Sequence, residues 1–151
     1  MKNSRETVTS ALLALLQTAT FSQPVNGATT WVTTGRKLLL FSDVPVQARP
    51  ALFLTEHHET TVYQSEDTPP KLSMNLNIFI YTNGRANDTP ATDINVLLDA
   101  LDKVLAPSAA TGTQTLGGLV SHCRIDGQTL KDPGDIDGDG LLWVPVKIFG
   151  P

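Results

Sequence analysis

The sequence predicts an α+β fold: a mostly antiparallel β-sheet with two helices packed on one face and a long projecting β-hairpin. Three observations carry this. Leu72, Met74, Leu76, Ile78 and Ile80 alternate with Ser73, Asn75 and Asn77, the period-two pattern of a half-buried strand. Ile94, Leu97, Leu98, Leu101, Val104 and Leu105 recur at three- and four-residue steps, the stripe of an amphipathic helix. Finally, residues 51–64 and 71–82 are extended runs separated by the polar turn Ser65–Pro70, which reads as one long hairpin. The 151 residues provide room for one domain, spanning 1–151.

Taken in order, Asn3 or Ser4 caps a first helix, with Glu6 reaching back if Asn3 is the cap. Its buried stripe is Val8, Leu12, Leu15, Leu16 and Ala19, and it lies on the same sheet face as the second helix. Phe21–Gly27 is the exit loop. Trp31-Val32 and Lys37–Phe41 favour extended structure, and Ser42–Pro50 is a loop bracketed by prolines. Ala51–His58 is a strand that Thr60–Tyr63 continues. A twelve-residue strand reaches about 40 Å, more than a small domain needs, so the tip near Glu66, Asp67 and Lys71 is expected to project or to lean on a neighbouring subunit. Asn83-Gly84 supplies a turn, Thr89-Pro90 a helix start whose hydroxyl accepts a first-turn amide, and Pro107 a stop. Ser108–Gly118 reads as a flexible connection, Leu119–Asp126 as a strand and Gly127–Gly140 as a loop. Leu142, Val144, Val146 and Ile148 alternate on a final strand. Pro145 lacks an amide, which places that strand at a sheet edge or at a break in pairing.

Composition narrows the function. The chain is 40% hydrophobic and 17% charged, and this shortage of charge suggests that part of the surface is covered by something else. A net charge of −4 excludes a sequence-independent grip on nucleic acid phosphates. The single cysteine, Cys123, excludes an internal disulfide and a multi-cysteine zinc site, and it reads as a buried small hydrophobe beside Leu119 and Ile125. Lys2 and Arg5 followed by Ala11–Leu16 imitate a signal sequence, but the apolar run is short, Glu6 interrupts the charged region and no convincing cleavage site follows. The chain is therefore expected to be soluble, unprocessed and without a membrane span.

The motifs that carry chemistry are sparse. Asp135-Ile-Asp-Gly-Asp-Gly140 offers Asp135, Asp137 and Asp139 at calcium-loop positions one, three and five, yet Val146 stands where the bidentate Glu belongs. Asp and Gly are also ordinary residues of a strand connection. In Glu56-His57-His58-Glu59, adjacent strand residues point to opposite faces, so the histidines are not expected to share a metal, which leaves a distant triple with His122. No Gly-x-Ser-x-Gly elbow is present, and Gly112–Gly118 lacks the Lys-Ser/Thr of a phosphate loop. Asp88, Asp93, Asp99 and Asp102 read as a solvated helix face. No catalytic residue and no cofactor is expected.

Several segments together resemble a known family. Arg36, Phe41, Asp43-Val-Pro45, Pro50-Ala-Leu-Phe53, Pro69-Pro-Lys71, Leu97-Leu-Asp-Ala-Leu101, Gly112-Thr-Gln-Thr-Leu-Gly-Gly-Leu-Val120, His122-Cys-Arg-Ile-Asp-Gly127 and Val144-Pro-Val-Lys-Ile148 resemble tail terminator proteins of long-tailed bacteriophages. The resemblance runs from Arg36 to the end, and Gln114–Leu119 is its most specific part. It implies a virion protein, assembled in the host cytoplasm, forming a homohexameric ring at the head-proximal end of the tail. Its partners would be its own copies, the tail tube protein and a head-side neck protein, with genome DNA passing through the lumen without specific binding. It implies no catalytic residues. Glu66, Asp67, Lys71 and Pro145 are the candidate interface residues; the Asp-rich loop departs from the pattern. The alternatives are another neck or tail-completion ring, a calcium-dependent binding module on the Asp135–Gly140 loop, and a small hydrolase using His57, His122 and an aspartate.

Overall fold

A computed structural model describes residues 2–84 and 88–150. Two helices, α1 (Arg5–Gln17) and α2 (Pro90–Val104), pack against a six-stranded sheet. The strands are β1 (Thr33–Gly35), β2 (Ala51–Val62), β3 (Lys71–Asn83), β4 (His122–Ile125), β5 (Leu130–Asp132) and β6 (Asp139–Phe149). Their order is β1-β2-β3-β6-β4, with β5 pairing the first part of β6. Every pairing is antiparallel except β1 on β2.

One sheet face is built by the alternation read from the sequence. Leu52 and Leu54, Met74 through Ile80, and Leu142 through Ile148 send every second side chain into one core with Val8, Leu12 and Leu16 of α1 and Ile94, Leu97 and Leu101 of α2. Each such side chain, fully withdrawn from water, contributes about 1.5–3 kcal/mol. Both helices thus cover the same face, and the α+β architecture is the expected one.

Local details differ from the sequence reading, each for a physical reason. Ser4 is the cap of α1, its hydroxyl accepting the Thr7 amide at 3.1 Å, and this frees Glu6 to pair with Arg36. Thr89 occupies the cap position of α2, but its hydroxyl makes no cap hydrogen bond. Its carbonyl accepts the Thr92 amide instead. Asp93 is buried and is not part of a solvated face. Lys37–Leu40 forms no strand, and Phe41–Asp43 is a 3-10 turn; the extended piece is Thr33–Gly35, laid parallel on Ala51–Phe53. Gly127–Gly140 is not simply a loop, because Leu130–Asp132 forms β5 against Leu141–Trp143 and β6 already begins at Asp139. The strand after Gly118 starts at His122, three residues later than expected.

The Ser108–Gly118 connection has no regular structure, yet Gln114 ties it down. The Gln114 amide nitrogen donates to the Val104 and Ala106 carbonyls at the end of α2, its side-chain oxygen accepts the Leu116 amide, and its backbone amide donates to His122 Nδ1. The helix end is thereby satisfied by a side chain from downstream.

The second face is covered only at one end, where residues 39–48 pack on Ala51, Phe53 and Tyr81. Arg49 fastens this segment. Its guanidinium, 4% exposed, donates to the carbonyls of Val44 (3.1 Å), Phe41 (3.1 Å) and Thr82 (3.4 Å) and to Asp139 Oδ1 (2.5 Å). The Tyr81 hydroxyl donates to the Leu39 carbonyl, and its ring stacks on Phe41 at 4.1 Å.

Removing Arg49 strands three carbonyls in a dry environment, whereas Asp139 is half exposed and can be rehydrated. Arg49→Met is expected to lower the unfolding free energy by about 3 kcal/mol and Asp139→Asn by about 1 kcal/mol in urea titrations. Equal losses would show that the ion pair, and not the carbonyl set, holds the segment.

Candidate functional site

Past the Arg49 segment the second face is open. By the strand register it carries Leu141, Trp143, Pro145, Lys147 and Phe149 of β6, Phe79, Asn77, Asn75 and Ser73 of β3, and Leu130 of β5. Trp143 is 42% exposed and lies beside Phe79, ring centroids 5.4 Å apart; Leu130, opposite it on β5, is exposed as well. An exposed aromatic and aliphatic strip on a pleated face is a candidate contact surface.

The distal half of the hairpin stands out from the body. From Glu56 to Lys71 every residue is exposed, including Val62 and Tyr63 and the candidates Glu66, Asp67 and Lys71. The predicted projection is therefore present. Pro145 is placed differently from one of its two expectations: β6 lies inside the sheet, not at its edge, with β3 on one side throughout. Its missing amide coincides with the point where the outer partner changes from β4 to β5, and its carbonyl accepts the Asp126 amide at 3.1 Å. The break in pairing accounts for the proline.

Beside Phe149 the open face sinks into a cleft of about 330 Å³, lined by Val62, Lys71, Lys147 and Phe149 among others. Lys147 Nζ sits 5.2 Å from the Phe149 ring centroid and the Arg124 guanidinium 4.9 Å from it. Arg124 is neutralised by Asp126 at 2.8 Å, while neither Lys71 nor Lys147 has a carboxylate partner among the described residues. This is a local positive, apolar hollow on an acidic chain.

The histidines correct a premise. A β-bulge between Glu56 and His58 leaves His57 without a partner in the register, so the alternation of faces fails there. The two imidazoles consequently lie side by side, Nδ1 to Nδ1 2.8 Å, one donating and one accepting. A cleft of about 370 Å³ adjoins them, but its charges are matched: Arg5 with Glu59 at 2.6 Å, and Arg36 with Glu6 and, at 3.9 Å, Glu56. His122 lies on β4 beyond β3 and β6, so the structure does not bring together the distant triple or the hydrolase set.

The Asp-rich loop is a turn shaped by its own backbone. Asp137 Oδ1 accepts the Asp139 amide at 2.9 Å, and Gly134 sits at φ +80° with no room for a side chain against Gly138 and Asp139. Asp139 belongs to Arg49. Asp135 and Asp137 remain at the surface, and Ile136 between them is fully exposed. Among the described residues no three His, Cys, Asp or Glu side chains form a group that could hold a metal ion. Cys123 is buried, and burial pushes its thiol up to about 12. No described helix is long and apolar enough to cross a membrane.

Two signals were available to sequence reasoning and went unused. Leu130 flanked by turn residues hinted at an extra strand, and an isoleucine between aspartates in a turn is a side chain with nowhere to hide. Arg49 had no sequence signal, since its ligands are carbonyls. Neither a family model nor a curated protein matches the chain.

With Asp139 held by Arg49, excess calcium is expected to leave the melting temperature unchanged; a rise would reveal binding to the folded state. Cys123 should resist an aromatic disulfide reagent at pH 8 in the folded protein and react fully in urea. Because its folded pKa lies above the ordinary value of 9.0, the stability contributed by the protonated thiol is complete below that pH and is lost as pH rises toward 12. A Cys123→Ala variant should lack that alkaline decline in denaturant titrations.

Proposed function

We propose that this chain is a structural subunit of a tailed-bacteriophage virion, a tail terminator. It assembles into a ring, six subunits in the resembling family, on the head-proximal end of the tail tube, stops tube growth and presents a face to the head-side neck protein. It works through complementary surfaces, with no bond made or broken.

The observation that carries this reading is where the apolar surface lies. The chain closes one sheet face under two helices, yet leaves Trp143, Leu130 and Phe79 on the other and Val62 and Tyr63 on a projecting hairpin. A subunit that is complete only in an assembly distributes its surface in this way. Its net charge of −4 suits a channel for DNA, because like charge gives no counterion-release gain and the genome slides without sticking.

Phage lacking this protein are expected to make tails of uncontrolled length that fail to join heads, scored by electron microscopy of lysates. Tails of normal length that still fail to join would move the protein to another neck ring.

A further inference from the structure

Resting on the ring reading, we infer that the ring closes by a head-to-tail contact: the Asp135-Ile136-Asp137 knob of one subunit seats in the Lys71–Lys147–Phe149 cleft of the next. The two features are matched in chemistry. The knob is one fully exposed branched side chain beside the exposed carboxylate of Asp135. The cleft, about 330 Å³, is floored by Phe149 and Val62 and edged by two ammonium groups without carboxylate partners among the described residues. An apolar anchor in a pocket, ringed by opposite charges, is the usual anatomy of a strong contact.

Their places in the fold set how far apart they lie. The knob precedes Asp139, the first residue of β6, and the cleft lies at Lys147 and Phe149, its last turn of the pleat. About 30 Å of strand separates them, so a subunit cannot fill its own cleft. Repeated head to tail, a contact between two different patches is heterologous, and it propagates until it closes as a ring or runs on as a filament. The same two patches could also meet twice about a two-fold axis, each knob in the other's cleft, so a wild type that stops at a dimer in sedimentation would overturn the head-to-tail contact. The Asp-rich turn thereby gains a role that needs no metal.

Ile136 is fully exposed, and Lys147 is half-buried with no ion pair among the described residues, so Ile136→Asp (knob-dead) and Lys147→Glu (cleft-dead) should fold with unchanged circular dichroism and melting. Assembly is followed by sedimentation velocity in solution and by binding to purified tails that lack the protein. The expected result is rings for the wild type, monomers for each variant alone, and a one-to-one heterodimer with nothing larger when the two are mixed, since each mixture holds one intact contact. Asp135→Lys combined with Lys147→Glu in one chain should restore assembly. Variants that assemble like the wild type overturn the knob-and-cleft contact and leave the ring reading standing. Variants that assemble normally but no longer join heads show that the cleft holds a different virion protein, which also overturns the second-copy assignment. A wild type that assembles neither in solution nor on tails overturns the ring reading itself.

Discussion

Two helices can cover only one face of a six-stranded sheet, and that shortage governs the rest of the molecule. α1 and α2 both lie over Leu52 to Leu54, Met74 to Ile80 and Leu142 to Ile148. A sheet whose other face meets water usually places polar side chains there. Here β3 obeys, with Ser73, Asn75 and Asn77, while its partner β6 does not, placing Leu141, Trp143 and Phe149 on the same side. The apolar residues of β6 must therefore find cover elsewhere.

Part of that cover is supplied within the chain. Residues 39–48 fold over Phe53 and Tyr81, and the cost of burying their carbonyls is met by Arg49, whose donors reach three of them at once. An arginine suits this role because its planar fork satisfies several acceptors from one position, and its charge is balanced at the rim by Asp139. The same ion pair anchors the start of β6 and hence the base of the Asp-rich turn. Gly84 tightens that corner further: its amide donates to the Gly138 carbonyl at 2.9 Å, and an added side chain would collide with Pro90 and the Pro133 carbonyl. Cover ends there, and the remainder of β6 stays open on this face.

What was legible in the sequence was whatever repeats. The period-two run of β3, the stripe of α2 and the turn between two extended runs are each encoded by many residues, so they survive one exception. What was illegible depends on single contacts. β1 is three residues, Thr33–Gly35, ordered by a parallel neighbour and not by pattern. The bulge at His57 reverses the facing of every later residue in β2, a change that no local composition announces. Asp93 lies where a helix pattern puts solvent, yet the fold leaves it buried. For the site, the hairpin projection was readable from length alone, whereas the cleft joins Val62, Lys71 and Lys147 from three strands and exists only after pairing.

The bulge also bears on the bare edge of the sheet. From Leu54 onward β2 has no neighbour on its outer side, and a bare edge invites another strand. This edge carries the features that discourage such pairing: a bulge that twists it, two histidines, and Glu56 and Glu59. Arg5 and Arg36 hold those carboxylates toward α1, so the charge stays fixed along the edge. An edge so defended is a poor place for strand addition, whereas the open face and its two ends have no comparable defence. Trp143 is exposed there and Phe149 half-buried, and Lys147 beside Phe149 has no carboxylate partner among the described residues.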